Sequence, residues 1–311
     1  MATKRSLTVG INNYSVFQPN GSANLSWCAS DARKMKRLLR DSFGFTEQYH
    51  LADLNASRNN ILDTLRHLIR VSEAGDTICF YFSGHGARVR TDLSRADCDS
   101  YYECLIPASG GYLTDRDLTD IADDLYPDAV NFTVITDACH SGGMHSSDAD
   151  LKCRTPRFTR GLLDEIVEFL QTLIPFGICA TDHSDLQNNV ANVSQSEGVI
   201  DLDPDPNKTL VASCKSTLIS ACHFNELSWE SGSIRQGLFT KAIMETITQS
   251  NPDTDYHAFI QALQSNVSQR INSLIRNSNR PNVTQTPQLF GQRNRMSERL
   301  LEGWIETPLF Q

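Results

Sequence analysis

His85, within YFSGHG (residues 81–86), and Cys139, within DACHSGG (137–143), are the side chains whose types and surroundings best suit nucleophilic catalysis. They stand 54 positions apart, each in a glycine-containing loop and each two residues beyond an apolar run. A thiol and an imidazole together attack a carbonyl carbon: the thiolate adds, the imidazole carries the proton, and backbone N–H groups hold the oxyanion. Gly84 and Gly86 around the histidine, and Gly142 and Gly143 after the cysteine, let main chain approach a bound peptide closely. Either loop alone is a weak signal, since buried cysteine is commonplace. Two such residues, both at the ends of apolar runs, are hard to attribute to packing.

The elements that would position them are legible as periodicities. SLTVGI (6–11), DTICFYFS (76–83), NFTVITD (131–137) and STLISAC (216–222) are short β-branched runs, as expected of strands buried on both faces of a parallel sheet. Helical spacing lies between them. In SDARKMKRLLRDSFG, Ser30 is placed to cap, Met35, Leu38 and Leu39 form a stripe and Gly44 stops the helix; residues 55–75 carry Ile61, Leu62, Leu65, Leu68 and Ile69, closed by Gly75. Further helices are expected at 115–124, 160–173, 236–248 and 255–276. This alternation predicts right-handed βαβ units, hence a three-layer α/β/α sandwich with a mostly parallel central sheet. Ligands of such sheets bind at the carboxyl ends of the strands. If 76–83 and 131–137 are parallel neighbours, His85 and Cys139 emerge at one edge.

Several stretches in order carry a resemblance. VGINNY, WCASDA, YFSGHG, DACHSG and, after 211, LISAC together resemble the caspase-like cysteine peptidases of the metacaspase and orthocaspase branch (clan CD, C14-like). The spacing of histidine about 50 residues before cysteine agrees with that group, although the Q-A-C-[RQG]-G signature of caspases is replaced by D-x-C-H-S-G. The resemblance covers most of 5–145 and 211–291. It implies one peptidase domain over 1–311, with a large-subunit-like part (1–142), an insertion or linker (143–210) and a small-subunit-like part (211–311). The insertion, polar and nearly free of aromatics, reads as exposed loops around one helix.

The resemblance further implies that Cys139 is the nucleophile and His85 the proton carrier, with the N–H groups of Gly86 and Cys139 as oxyanion hole. The reaction is then peptide-bond hydrolysis through a thioester. No metal or organic cofactor is required for it. The metacaspase specificity pocket maps onto Cys28, Asp31, Ser83 and Asp137. Carboxylates there favour guanidinium or ammonium groups, so cleavage is expected after Arg or Lys and not after Asp. Lys152, Arg154, Arg157 and Arg160 are candidate self-cleavage sites in an exposed loop. Calcium as an activator would draw on Asp97, Asp99, Asp115 and Asp117, where Arg116 interrupts the acidic pair. The alternatives are a catalytically latent caspase-fold scaffold and a clan relative of different specificity. The presence of both His85 and Cys139 argues against the first, and the acidic pocket residues against the second.

The bulk numbers agree. With 40% hydrophobic and 21% charged residues the chain forms a packed core, and its net charge of −9 opposes nucleic-acid binding. No run of about 18 apolar residues marks a membrane span. Nine cysteines without CxxC spacing fit a reducing compartment, so a cytoplasmic protein is expected, a monomer whose partners are protein or peptide substrates.

Overall fold

The computed structural model describes residues 2–17, 19–90, 101–123, 130–139, 151–154, 199–201, 216–223, 226–275, 283–291 and 293–302. Its strands are β1 (Lys4–Gly10), β2 (Glu47–Ala52), β3 (Thr77–Ser83), β4 (Gly86–Arg90), β5 (Tyr101–Leu105), β6 (Leu113–Thr114), β7 (Asn131–Asp137), β8 (Leu151–Cys153), β9 (Val199–Asp201), β10 (Ser216–Ser220), β11 (Trp229–Ser231), β12 (Gln236–Gly237) and β13 (Gln288–Gly291). The main helices are α1 (Cys28–Phe43), α2 (Arg58–Arg70), α3 (Asp115–Asp123), α4 (Leu238–Gln249) and α5 (Tyr256–Ile275).

Seven strands form the central sheet in the order β2-β1-β3-β7-β10-β13-β9. Every pairing in it is parallel except β10 with β13. β3 and β7 are buried along their whole length, which is why they read as unbroken apolar runs instead of alternating ones. Alternate residues still face opposite layers. Leu7, Val9, Phe80, Phe82, Phe132 and Val134 pack in one core with the α2 stripe Ile61, Leu62, Leu65 and Leu68. Cys79, Tyr81, Ile135 and Ile219 pack in the other, against Met35 and Leu39 of α1, Phe239 and Ile243 of α4, and Phe259, Ile260 and Leu263 of α5. Each fully buried stripe side chain contributes about 1.5–3 kcal/mol. The expected three-layer sandwich is therefore present.

Several boundaries differ from the sequence expectation. Ser30 does not cap α1; the helix begins at Cys28 with Trp27 as N-cap, and that cap residue offers no side-chain acceptor. Its amides are met from elsewhere: Asn12 Oδ1 accepts from Ala29 N at 3.2 Å, and the Glu230 carboxylate accepts from Ser26 N and Trp27 N at 2.8 and 3.2 Å. Gly44 ends α1 as expected, at φ 73°. Helix α2 is shorter than 55–75, because Ser57 caps it by accepting from Asn60 N and Val71 ends it, leaving Gly75 in the following turn. The segment 143–210 is not loop throughout. β8 joins β11 and β12 in a small antiparallel sheet, and β9 extends the central sheet beyond β13. The helix expected at 160–173 lies outside the described residues.

Candidate active site

β3 and β7 are parallel neighbours with Ser83 opposite Asp137, so the chain leaves both at the same edge. His85 and Cys139 each stand two residues past that pair. His85 is held on three sides: its N–H donates to Tyr14 Oη at 2.8 Å, its ring packs on Tyr14 with centroids 4.4 Å apart, and Nε2 lies 2.6 Å from the Ala23 carbonyl. A carbonyl only accepts, so Nε2 carries the proton and Nδ1, which has no hydrogen-bond partner among the described residues, is the bare nitrogen. Burial pushes the His85 pKa down to about 4, against the pull of the Ala23 carbonyl. The imidazole is neutral at pH 7. Cys139 is fully buried; its Sγ lies 2.9 Å from the Ser228 N–H, which donates to it, and 3.2 Å from the Ser228 carbonyl, to which the thiol donates. Gly86 packs so closely that a Cβ would collide with the Cys139 carbonyl. Only glycine fits there.

The acidic residues expected to form the pocket are brought together, and the cleft is filled by the chain itself. Arg154 has no exposed surface. Its Nη1 donates to Ser83 Oγ at 2.8 Å and the Asp137 carbonyl at 2.9 Å, and pairs with Asp137 Oδ2 at 2.8 Å. Its Nη2 donates to Asp31 Oδ2 at 2.8 Å and lies 3.9 Å from Glu230 Oε2. Burial opposes the charge on Arg154, but Asp137, Asp31 and Glu230 outweigh it and raise its pKa further. Asp31 and Asp137 are therefore neither an exposed helix carboxylate nor a turn residue; both are wholly buried. Burial first, then repulsion from Asp137, raises the Asp31 pKa to about 7 despite the guanidinium. Cys28 is a wall of the pocket, its thiol pushed up by burial, with Sγ 3.8 Å from Glu230 Oε2.

The main chain of this segment is held as firmly as the side chain. β8 pairs antiparallel with β11, Arg154 N donates to the Ser228 carbonyl at 3.1 Å, and the Arg154 carbonyl accepts from Gly86 N at 3.2 Å. An extended segment added to a strand edge, with one basic side chain in a carboxylate pocket and the following carbonyl on a glycine N–H, is how a peptide substrate is gripped. The expectation that Arg154 lies in an exposed loop is overturned: strand pairing satisfies its backbone and three carboxylates compensate its charge. Lys152 lies in β8, whereas Arg157 and Arg160 lie outside the described residues.

Four residues of the site were not anticipated. Ser228 and Thr240 orient Asp137: Ser228 Oγ donates to Oδ1 at 2.7 Å and Thr240 Oγ1 to Oδ2 at 2.5 Å. Gly237 donates its N–H to Asp31 Oδ2 at 2.9 Å, and a Cβ there would strike Arg154 Nη2 and fall 2.6 Å from Asp137 Oδ2. Glu230 is the fourth. Only the strand SWES and the glycine before α4 hint at them, and neither hint has a chemical partner nearby in sequence.

Of the expected calcium cluster, Asp115 and Asp117 are described, and both already have partners within the protein. The Asp117 carboxylate accepts from Thr114 N and Oγ1, both at 2.9 Å, and pairs with Arg58 at 2.7 Å. Asp115 accepts from Arg116 N at 2.8 Å; burial, then the charge of Glu103, raises its pKa to about 7. No group of three or more acidic, histidine or cysteine side chains that could hold a metal occurs among the described residues, and Asp97 and Asp99 lie outside them.

The profile of the Caspase domain family matches residues 3–296, nearly the whole chain. The chain belongs to the caspase-domain family of cysteine peptidases. Its curated relatives include Metacaspase-4 of Arabidopsis thaliana, 32% identical over 149 residues that span 46% of this chain and 34% of that one. Metacaspase-2 of Trypanosoma brucei brucei is 30% identical over 155 residues, 46% of this chain and 42% of that one. Metacaspase-1 of Schizosaccharomyces pombe is 24% identical over 292 residues, covering 87% of this chain and 66% of its own length. The matched region thus spans only about a third of the plant relative. A Geobacter sulfurreducens protein of known crystal structure superposes with a TM-score of 0.65 at 19% identity, covering 97% of this chain and 99% of that one, and so shares the fold. Among the described residues no helix is long and apolar enough to cross a membrane.

Proposed function

We propose that this caspase-domain protein is a cysteine endopeptidase that cleaves after Arg or Lys with a His85–Cys139 dyad, and that its first substrate is its own Arg154–Thr155 bond. The observation that carries the reading is the placement of Arg154, with its guanidinium among Asp31, Asp137 and Glu230 and its carbonyl on the Gly86 N–H.

These contacts support the following reaction. Cys139 Sγ gives its proton to His85 Nδ1, and the thiolate adds to the Arg154 carbonyl carbon. The oxyanion forms on the atom already facing the Gly86 N–H, with the Cys139 N–H as second donor. The Arg154–Thr155 C–N bond breaks as the imidazolium returns its proton to the Thr155 nitrogen, leaving a thioester on Cys139. Water, deprotonated by His85, then releases the thiol and an Arg154 carboxylate. The Ala23 carbonyl holds the ring so that Nδ1 remains the nitrogen in use. Peptides in trans would use the same strand and pocket once residues 151–154 leave them. No step requires a metal; calcium, where it acts, acts as an activator.

The substrates are proteins or peptides with Arg or Lys before the scissile bond, and the working unit is a monomer in the cytoplasm. Purified wild-type chain should yield a fragment whose N-terminus reads Thr155-Pro156-Arg157-Phe158, and Cys139→Ala should remain whole. A wild-type chain left intact, or one cut at Arg154 with Cys139 replaced, would sink the proposal.

A further inference from the structure

Glu230 has no role in the reading above beyond proximity, yet its position is more constrained than capping a helix demands. It is 1% exposed on β11, between the partners Gly237 of β12 and Lys152 of β8. Both carboxylate oxygens are pinned by amides leading into α1, Oε1 by Ser26 and Oε2 by Trp27. A helix N-terminus favours an anion, so the charge is fixed in place and cannot swing to solvent. The same Oε2 lies 3.9 Å from Arg154 Nη2.

We propose that Glu230 is a third carboxylate of the pocket and makes it select a guanidinium over an ammonium. The inference rests on reading Arg154 as an occupant bound the way a substrate is. The two guanidinium nitrogens are served from different sides: Nη1 by Ser83 and Asp137, Nη2 by Asp31 and Glu230. A planar fork matches two separated acceptor groups; an ammonium is one point charge. A lysine side chain ends one bond earlier and has one nitrogen, so it cannot occupy the Nη1 and Nη2 positions together. Wherever it settles, one carboxylate group is left buried without a cation. With only Asp31 and Asp137 a central ammonium would serve about as well, and it is Glu230 beside Asp31 that weights the Nη2 side.

The test is a double-mutant cycle on self-cleavage, which needs no added substrate. Fragment release is followed by gel and mass spectrometry in the full chain, in Arg154→Lys, in Glu230→Gln and in the double variant. The glutamine side chain keeps the shape and an acceptor oxygen while removing the charge. Arg154→Lys should slow cleavage about tenfold with Glu230 present and no more than about threefold in the Glu230→Gln background. A purely structural role would make the two effects multiply, and that result overturns the proposal. Peptides ending in Arg and in Lys are measured in parallel: the Arg-to-Lys ratio of kcat/KM should fall at least about threefold in Glu230→Gln, mostly through KM. Should Glu230→Gln not fold, Glu230→Asp, which withdraws the charge by one methylene, must lower the ratio in the same direction, and an unchanged ratio refutes the assignment. Wild-type chain that turns over both peptides with the same ratio as Glu230→Gln removes Glu230 alone. Wild-type chain that cuts neither itself nor any basic peptide, while Cys139 still reacts with iodoacetamide, removes the underlying peptidase reading and this inference with it.

Discussion

Replacing Arg154 by Met in the uncleavable Cys139→Ala chain isolates what the pocket ions do to stability. Met keeps most of the volume and loses the charge, leaving Asp31, Asp137 and Glu230 buried without their cation. Removing one partner of a buried ion pair costs about 3–5 kcal/mol, because the other charge stays behind unpaired. At about 2–3 °C per kcal/mol for a chain of this size, the melting temperature should fall by roughly 6–15 °C. The loss has a sign in pH. Asp31, at about 7 even beside the guanidinium, is ionised at pH 8 and protonated at pH 5. Its carboxylate therefore needs Arg154 at pH 8 and hardly at pH 5, so the gap between parent and variant should be wide at pH 8 and narrower at pH 5. Scanning calorimetry or fluorescence melting at both pH values reads the difference, with Arg157→Met as a linker control. A variant as stable as its parent at pH 8 would mean that Arg154 is not in the pocket in solution, and the reasoning about self-cleavage would go with it.

Gly237→Ala should reduce cleavage after Arg by more than about a hundredfold, because the new methyl occupies the guanidinium site, while iodoacetamide still labels Cys139 at an ordinary rate. Between pH 4 and 6.5 opposing titrations meet in the Cys139→Ala chain: the His85 pKa, lowered to about 4, costs stability as pH falls, and the Asp31 and Asp115 pKa values, both raised to about 7, cost stability as pH rises. Urea midpoints should therefore fall gently as pH climbs towards 7, and His85→Gln should steepen that fall by leaving the Asp31 and Asp115 slopes unopposed. Self-cleavage in EDTA and in millimolar calcium should agree within about twofold, since Asp117 is committed to Arg58 and Thr114; a larger activation would place a site outside the described residues. Carboxypeptidase B, which removes a C-terminal Arg, should raise peptide turnover of freshly self-cleaved protein several-fold; no change would show that the new C-terminus does not hold the pocket.

The sheet, and the placement of His85 and Cys139 beyond one of its edges, were legible because both depend on local order. A short apolar run leaves its next residues at the carboxyl edge of the sheet, so His85 and Cys139 could be set side by side once β3 and β7 were read as parallel neighbours. Asp31 was legible as a pocket residue only through the family resemblance; from its own surroundings it is a first-turn carboxylate like any other. Arg154 was misplaced for a physical reason. A basic, polar segment reads as solvated, and what buries it is a set of acids at 31, 137 and 230 that converge only after folding. Glu230 and Gly237 escaped for the same cause. Their partners lie about 200 positions away, so neither periodicity nor spacing records them.

Those three acids also explain why one site serves as both restraint and selector. Burial first, and then repulsion from Asp137, holds Asp31 near pKa 7 even with a guanidinium against it, so an empty pocket is costly to keep ionised. Any well-placed cation relieves that repulsion, whether it belongs to a substrate or to the chain. The chain has the advantage of attachment: Arg154 follows Cys139 by 15 positions on one chain, and a covalent connection of that length gives an effective concentration on the order of millimolar. Cutting the Arg154–Thr155 bond removes the tether on one side only. The new C-terminal Arg154 keeps its guanidinium, its β8 pairing and its link to the nucleophile, so cleavage weakens the restraint without abolishing it. Substrates that succeed must then bring what a three-residue strand lacks, which is longer pairing along β11 and contacts beyond the scissile bond. Under the proposed function the ionic pocket sets which residue is cut, and the extent of strand pairing sets whether a protein outcompetes the chain's own Arg154.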